Sequence, residues 1–159
     1  MRGAAQAGSG PGPLITSRRD YSDFRLRVRT RNVDGKGKSI LLRRAETDLI
    51  NGYNVWVCAP TVDTGQSVPI GSIGKCIDFP GRTRPPLDVQ AASVPVPIGE
   101  WYTLEITAIG NRMTTAVNET KVAEYIDESN SFKSGCIPFS CQSASLVEFR
   151  ELAIQELER

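Results

Sequence analysis

The feature that most constrains the fold is a period-two alternation of apolar and polar residues. Within residues 24–31 every second residue is apolar or threonine, and all the residues between them are arginine. Successive side chains of a β-strand point to opposite faces of the sheet, so this pattern predicts a strand with one face in a core. The arginines could bind an anion. We favour a solvated outer face on which carboxylates of neighbouring strands pair with them.

The alternation recurs along the chain, and no long stretch has the period of a helix. It predicts further strands at residues 39–45, 53–58, 69–79, 101–109, 113–117, 121–126, 136–141 and 147–154. Turn signals such as Asn51-Gly52 and Gly110-Asn111 separate them, whereas residues 81–97 form a long irregular connection rich in proline and arginine. Many short strands between turns predict an all-β fold, a sandwich or a barrel.

The last strand changes its alternation part-way. Val147 and Phe149 point inward in its first half, but the inward set of the second half is Leu152 and Ile154. A shift of one residue at Arg150-Glu151 is what a β-bulge produces, so we predict one there. We also expect Glu148 and Arg150 to form an ion pair on the outer face, and Trp101 to be a structural aromatic at a strand start.

Length and charge limit the function classes. The chain has 159 residues and 40% hydrophobic content, which predicts one domain over residues 14–159, with residues 1–13 as a flexible or edge segment. The formal net charge of +1 gives no global basic excess for nucleic acid or an anionic membrane. The longest apolar stretches are strand-sized, so we expect no membrane-spanning segment.

Histidine is absent from the sequence. This excludes histidine-based acid–base catalysis, Ser-His and Cys-His nucleophile pairs, and every metal site that uses histidine. The four cysteines (Cys58, Cys76, Cys136 and Cys141) contain no C-x-x-C spacing, which argues against a zinc ribbon. We favour buried thiols over disulfides, with the pairing left open, and predict neither a metal nor a cofactor.

Strand parity identifies a candidate binding face. If Tyr53, Val55 and Val57 enter the core, Asn54 and Trp56 must point to the other side of the sheet. An indole exposed on a sheet face is a surface on which sugars stack. The alternative is that the connection 81–97 covers Trp56, so that the ring only packs.

The preceding strand adds a cation to the same face. Its non-core side carries Leu41 and Arg43, and the Arg43 guanidinium donates hydrogen bonds in a fixed fork. Together with Asn54 and Trp56, this side chain makes a plausible site for sugar hydroxyls.

An ordered set of short motifs resembles a known family. In chain order they are DYSDFRL at 20–26, SILLR at 39–43, GYNV at 52–55, TG at 64–65, GEWY at 99–102, NETKV at 118–122 and VEFR at 147–150. Each motif is weak alone, but their order over residues 13–157 resembles the 3-keto-disaccharide hydrolases. The resemblance implies an antiparallel β-sandwich, a concanavalin A-like jelly roll, with a groove on its concave face for a saccharide or polyol. It also implies a truncated or excised copy, fused to further domains in its parent protein.

Two departures from the family pattern bear on catalysis. The glutamate of the family's G-Y-E motif falls on Asn54. The family's L-Q-D-H-G stretch corresponds to residues 139–143, where Gln142 is displaced from the position of the family's glutamine and the aspartate and histidine are absent. An amide cannot take part in acid–base chemistry at ordinary pH. We therefore expect binding without catalysis, with these ligand contacts: Arg43, Tyr53, Asn54, Trp56 and Gln142.

Three functional hypotheses stay open. The first is a lectin-like recognition module. The second is a hydrolase of 3-keto-glucosides that uses a loop carboxylate as base, chosen from Glu46, Asp48 and Asp63. The third is a protein-interaction domain whose concave face takes a peptide or a second copy of the chain.

Overall fold

A computed structural model describes residues 2–4, 14–15, 20–33, 39–42, 51–57, 68–77, 87–140 and 146–158. These residues contain eleven strands and no helix, and hence no helix that could cross a membrane. The strands are β1 (Arg2–Ala4), β2 (Leu14–Ile15), β3 (Phe24–Asn32), β4 (Ser39–Leu42), β5 (Gly52–Trp56), β6 (Ile73–Cys76), β7 (Tyr102–Ile109), β8 (Arg112–Val117), β9 (Thr120–Ile126), β10 (Pro138–Ser140) and β11 (Leu146–Glu156).

The strands form two antiparallel sheets. The six-stranded sheet has the order β1-β11-β3-β7-β8-β9, and the five-stranded sheet has the order β2-β10-β4-β5-β6. Buried apolar side chains from both sheets belong to one core cluster, for example Leu26 of β3, Leu104 of β7 and Val55 of β5. The predicted antiparallel β-sandwich is therefore confirmed.

Strand β3 has the alternation that the sequence predicts. Its apolar residues Phe24, Leu26 and Val28 are fully buried, and the arginines between them point outward. Three of these arginines pair with carboxylates of adjacent strands: Arg25 with Glu105 at 3.6 Å, Arg29 with Glu151 at 3.7 Å and Arg31 with Glu148 at 2.5 Å. The favoured prediction of cross-strand pairing is confirmed for them.

The predicted bulge in β11 is also present. The pairing of β11 with β3 shifts between Arg150 and Ala153, and Glu151 has a φ of 51°. Beyond the bulge Ile154 lies opposite Leu26 and packs against the core, as expected. Leu152 does not point inward: it is 43% exposed. It is one of two residues that oppose a single residue of β3, and the bulge leaves it outside the alternation.

Arg150 has a different neighbour from the one predicted. Glu148 accepts a hydrogen bond from Arg31 across the strand pair, whereas the Arg150 guanidinium lies 3.9 Å from the centroid of the Trp101 ring. The Arg31 guanidinium lies 4.9 Å from the same centroid. Directly opposed residues of neighbouring strands are closer than residues two apart along one strand, which favours the cross-strand partner.

The described part of the irregular connection closes one side of the sandwich. Val89 pairs with Ile73 of β6, and the amide of Ala92 donates to the carbonyl of Val122 in β9. The side chains of Val89, Ala91, Val94 and Val96 lie against the core. Residues 87–97, hereafter the edge segment, therefore run from one sheet to the other.

Two glycines with the same backbone angle give a matched test of this packing. Gly71 and Gly99 both have a φ of 87°, but a Cβ at Gly71 would lie 2.6 Å from Val122 Cγ2, and none of the described atoms lies within 4 Å of one at Gly99. We expect Gly99→Ala to lower the free energy of unfolding by about 1 kcal/mol, through backbone strain alone. Gly71→Ala should cost about 3 kcal/mol because a steric clash is added. Urea denaturation measures both; equal losses would contradict the close approach.

Candidate functional site

The outer face of β5 and β6 carries a continuous set of residues. Asn54 lies opposite Gly74 and Gly52 lies opposite Cys76, so these four residues share a face with Trp56. The intervening residues of β5, Tyr53 and Val55, belong to the core cluster, whereas Asn54 and Trp56 do not. The strand parity predicted from the sequence is confirmed. We call Gly52, Asn54, Trp56, Gly74 and Cys76 the neutral row.

The neutral row is more buried than the sequence suggests. Asn54 is 1% exposed and Trp56 is 8% exposed, so the expectation of an openly exposed indole is wrong. Strand β5 lies between β4 and β6, where a side chain has neighbours on both sides even when it points away from the core. Alternation gives the direction of a side chain but not what lies beside or above it.

A hydrogen bond fixes the amide of the neutral row. Asn54 Nδ2 donates to Cys76 Sγ at 2.7 Å, diagonally across the two strands. The thiol of Cys76 is thus a partner of the Asn54 amide within the row. None of the described side chains in the row is a carboxylate, and the position that matches the family's glutamate holds this amide. The row can donate and accept hydrogen bonds at ordinary pH but supplies no carboxylic acid or carboxylate base.

Tyr53 lies on the core side of β5, away from the neutral row. It is fully buried, and its ring packs edge-on against Tyr125 and Phe132, with centroids 6.2 and 5.3 Å away. Its hydroxyl donates to Asp127 Oδ2 at 2.8 Å. The sequence predicted Tyr53 both as a core residue and as a ligand contact; the structure places it in the core, and its side chain points away from the neutral row.

Asp127 is the centre of a buried polar cluster between the sheets. It follows β9, its side chain is 2% exposed, and it accepts from Lys75 Nζ of β6 at 2.8 Å. The amides of Ser129 and Ser131 donate to its two carboxylate oxygens at 3.1 and 2.9 Å. With the Tyr53 hydroxyl, four donors converge on one carboxylate. They connect an edge of the six-stranded sheet to two strands of the five-stranded sheet.

This cluster keeps Asp127 ionised. Burial alone would raise the pKa of the carboxyl, but the hydrogen bonds from Lys75, the Ser131 amide and the Tyr53 hydroxyl outweigh it and hold the pKa well below its usual range. The bond to Asp127 in turn raises the pKa of the Lys75 ammonium. A carboxyl with so low a pKa does not carry a proton to deliver near neutral pH, so Asp127 is not a general acid there.

The sequence reasoning missed this cluster, although one signal was present. Ile73 of β6 points into the core, so the side chain of Lys75, two residues later, must leave the strand on the same side. A lysine in such a position needs an anionic partner. The partner lies 52 residues away in sequence, and only the fold brings the two together.

Comparison with known families gives a match over nearly the whole length. The model of the 3-keto-alpha-glucoside-1,2-lyase-like domain matches residues 2–155. The chain belongs to this family. The predicted 3-keto-disaccharide hydrolase resemblance is thereby confirmed. No curated protein matches the sequence.

Solved structures with this fold include carbohydrate-binding proteins of low sequence identity. The carbohydrate-binding module CBM66 from Bacillus subtilis has a TM-score of 0.66 and 16% identity, covering 96% of this chain and 90% of that one. The galectin LEC-6 from Caenorhabditis elegans has a TM-score of 0.58 and 19% identity, covering 91% of each chain. The agglutinin CG-16 from chicken liver has a TM-score of 0.60 and 13% identity, covering 90% of this chain and 99% of that one. These likenesses show the fold, the jelly-roll sandwich expected from the family.

Several residues named from the sequence fall outside the described ranges. They are Arg43, Glu46, Asp48, Cys58, Asp63, Cys141 and Gln142. Cys76 and Cys136 lie within those ranges, and both are buried, as predicted. Within the same ranges no three residues among histidine, cysteine, aspartate and glutamate are grouped so that they could hold a metal ion.

The Asp127 cluster generates a stability prediction with a defined pH dependence. Asp127→Asn should lower the free energy of unfolding at about pH 7 by about 3 kcal/mol, because Lys75 loses its buried partner. The pKa of Asp127 is depressed in the folded state, so its contribution is complete above the ordinary aspartate pKa of about 4 and declines as the pH falls below it. Urea denaturation across this range should show the two proteins converging in acid.

The control for this experiment is Glu128→Gln, which removes the neighbouring exposed carboxylate. It should change the unfolding free energy by less than about 0.5 kcal/mol. A difference between wild type and Asp127→Asn that stays constant from about pH 7 to about pH 2.5 would show that the loss is not electrostatic.

Proposed function

We propose that this chain is a carbohydrate-recognition module that binds a glycan on the outer face of the five-stranded sheet without hydrolysing it. The observation that carries the proposal is the chemistry of the neutral row. Where the family pattern has a glutamate, this chain holds an oriented asparagine, Asn54, next to Trp56. The row offers an amide and an indole for recognition and no carboxylate for proton transfer.

The glycines of the neutral row favour close approach to the strand backbone. Gly74 lies directly opposite Asn54, and Gly52 lies opposite Cys76. A glycine within a strand has no side chain to pack and often marks the place where a ligand or another backbone comes near. Because Asn54 is 1% exposed and Trp56 is 8% exposed, the groups that cover them must move aside before sugar hydroxyls meet the Asn54 amide and the sugar ring stacks on the indole.

The relatives support a saccharide as the ligand. The structures that share this fold include a carbohydrate-binding module, a galectin and an agglutinin, and the family itself is named for a glucoside. We extend the proposal to Arg43 and Gln142, whose guanidinium and amide would add hydrogen bonds at the margin of the site. One domain over residues 14–159 would carry the site, within a parent protein that has further domains.

The two tryptophans of the chain allow a paired test. A glycan array would identify a ligand, and titration calorimetry would measure its affinity. Trp56→Phe should weaken binding about fivefold, because the smaller ring offers less stacking surface, equivalent to about 1 kcal/mol. Trp101→Phe, which alters the other sheet, should leave the affinity unchanged.

The Trp101→Phe variant has a second use, since Trp56 is then its only tryptophan. Because Trp56 is 8% exposed, a ligand that reaches it must change its surroundings. Its fluorescence should shift on titration with the same glycan. An array on which no saccharide binds at millimolar concentration would overturn the proposal and favour the protein-interaction hypothesis.

The family match favours a second candidate function, hydrolysis of 3-keto-glucosides. Such an enzyme would need a carboxylate base outside the neutral row, such as Asp63 or Glu46. We expect the purified protein to give no turnover of a 3-keto-glucoside. Turnover that is lost in Asp63→Ala or Glu46→Ala would instead establish the enzyme.

A further inference from the structure

The outer face of the six-stranded sheet is rich in cations. Register places seven positive side chains there among the described residues of β3, β8, β9 and β11: Arg25, Arg27, Arg29, Arg31, Arg112, Lys121 and Arg150. The carboxylates bonded to them on this surface number four: Glu105, Glu124, Glu148 and Glu151. We call this surface the arginine face. Among these described residues the positive charges outnumber the negative charges by three, although the whole chain has a net charge of only +1.

The ion pairs on the arginine face do not use up its cations. Glu151 is shared between Arg29 and Arg150, at 3.7 and 3.6 Å. Glu124 is likewise shared between Arg112 and Lys121. Within the described ranges Arg27 forms no ion pair, although Arg25 on one side of it and Arg29 on the other each form one. The excess of positive charge is therefore distributed along the sheet, with Arg27 near its middle.

Two of the ion pairs formed by β3 arginines are weak enough to exchange. Arg25 and Glu105 are 3.6 Å apart, and their side chains are 50% and 36% exposed. The Arg29–Glu151 pair is similarly open. Ion pairs between such exposed side chains contribute little, so a ligand anion can replace a glutamate at small cost.

The spacing of the arginines suits a polymer with repeated acidic groups. Alternate residues of a strand are about 6.6 Å apart along its axis, so the four arginines of β3 start from evenly spaced positions along one face of the strand. A guanidinium binds a carboxylate or sulfate through two parallel hydrogen bonds. A row of such forks is therefore complementary to a chain that presents an anionic group at each of several successive units.

Features of the same face favour a polysaccharide over a nucleic acid. The surface is a β-sheet, and the described residues contain no helix that could enter a groove of DNA. Single-stranded nucleic acid binds through bases stacked on aromatic rings. Trp101, the aromatic residue found on this face, has the guanidinium groups of Arg150 and Arg31 at 3.9 and 4.9 Å from its centroid. Because these cations already pack on the ring, it is not available for stacking with a nucleic-acid base. An acidic glycan would bind the arginines alone.

We propose that the arginine face is a second binding surface, for an anionic polysaccharide bearing carboxylate or sulfate groups. It lies on the opposite side of the sandwich from the neutral row and does not depend on it. The test is titration calorimetry of the whole chain with dextran sulfate, polygalacturonate, neutral dextran and a DNA duplex. At about 50 mM NaCl the two acidic polysaccharides should bind and dextran should not. The affinity should fall at about 200 mM NaCl, because binding releases cations from the polyanion and added salt makes that release less favourable.

Arg27 allows a specific variant, because no ion pair is lost with it. Arg27→Gln should weaken dextran sulfate binding about threefold. Arg27→Lys should lose less affinity than Arg27→Gln, because lysine keeps the positive charge but lacks the two parallel donors of a guanidinium. Lys133→Gln removes one exposed positive charge from a loop and serves as the matched control. It should leave the affinity unchanged, as should Trp56→Phe.

Three results would overturn the proposal. They are absence of binding to both acidic polysaccharides, an equal loss in Arg27→Gln and Lys133→Gln, and DNA binding as tight as that of dextran sulfate. Circular dichroism of each variant would verify the fold. Failure of neutral glycans on the array would leave this test unaffected, so the two proposals can fail separately.

Discussion

The contact on which the rest of the sandwich depends is the buried Asp127 carboxylate, at the boundary between the sheets. A buried carboxylate in this position is stable only when its oxygens accept hydrogen bonds. Lys75 and Tyr53, on two adjacent strands of the opposite sheet, donate two of these bonds. The same contacts therefore hold the sheets together and fix the positions of β5 and β6. Because strand residues alternate, fixing Tyr53 on one side also fixes Asn54 on the other.

Local periodicity predicts much of this fold. Alternation along β3 identified its core and solvent faces, and the break in alternation near Glu151 identified the bulge. Both are properties of a single strand. Partners were harder to predict: Glu148 bonds Arg31 of the neighbouring strand rather than Arg150 of its own. Such choices depend on register between strands distant in sequence, which one strand's pattern does not contain.

The same limit applies to the candidate site. Strand alternation correctly predicted that Asn54 and Trp56 lie on the non-core face of β5, because this prediction requires only the order of residues within the strand. The exposure of Trp56 was wrongly predicted, since it is set by neighbours beyond that strand. The bond from Asn54 to Cys76 joins two strands and could not be predicted either. Among the described residues, the outer side of β5 and β6 thus carries the neutral row, whereas the outer side of the six-stranded sheet carries paired and excess cations.

The edge segment has a consequence for the behaviour of the protein in concentrated solution. Strands β6 and β9 lie at the ends of their sheets, where unpaired backbone groups could recruit a strand from another molecule. The edge segment occupies part of both, through Val89 on β6 and Ala92 on β9. A single proteolytic cut within the edge segment would therefore expose the unpaired backbone groups of both strands. Cleavage of the edge segment would thus lead to aggregation through these strand edges rather than to simple unfolding.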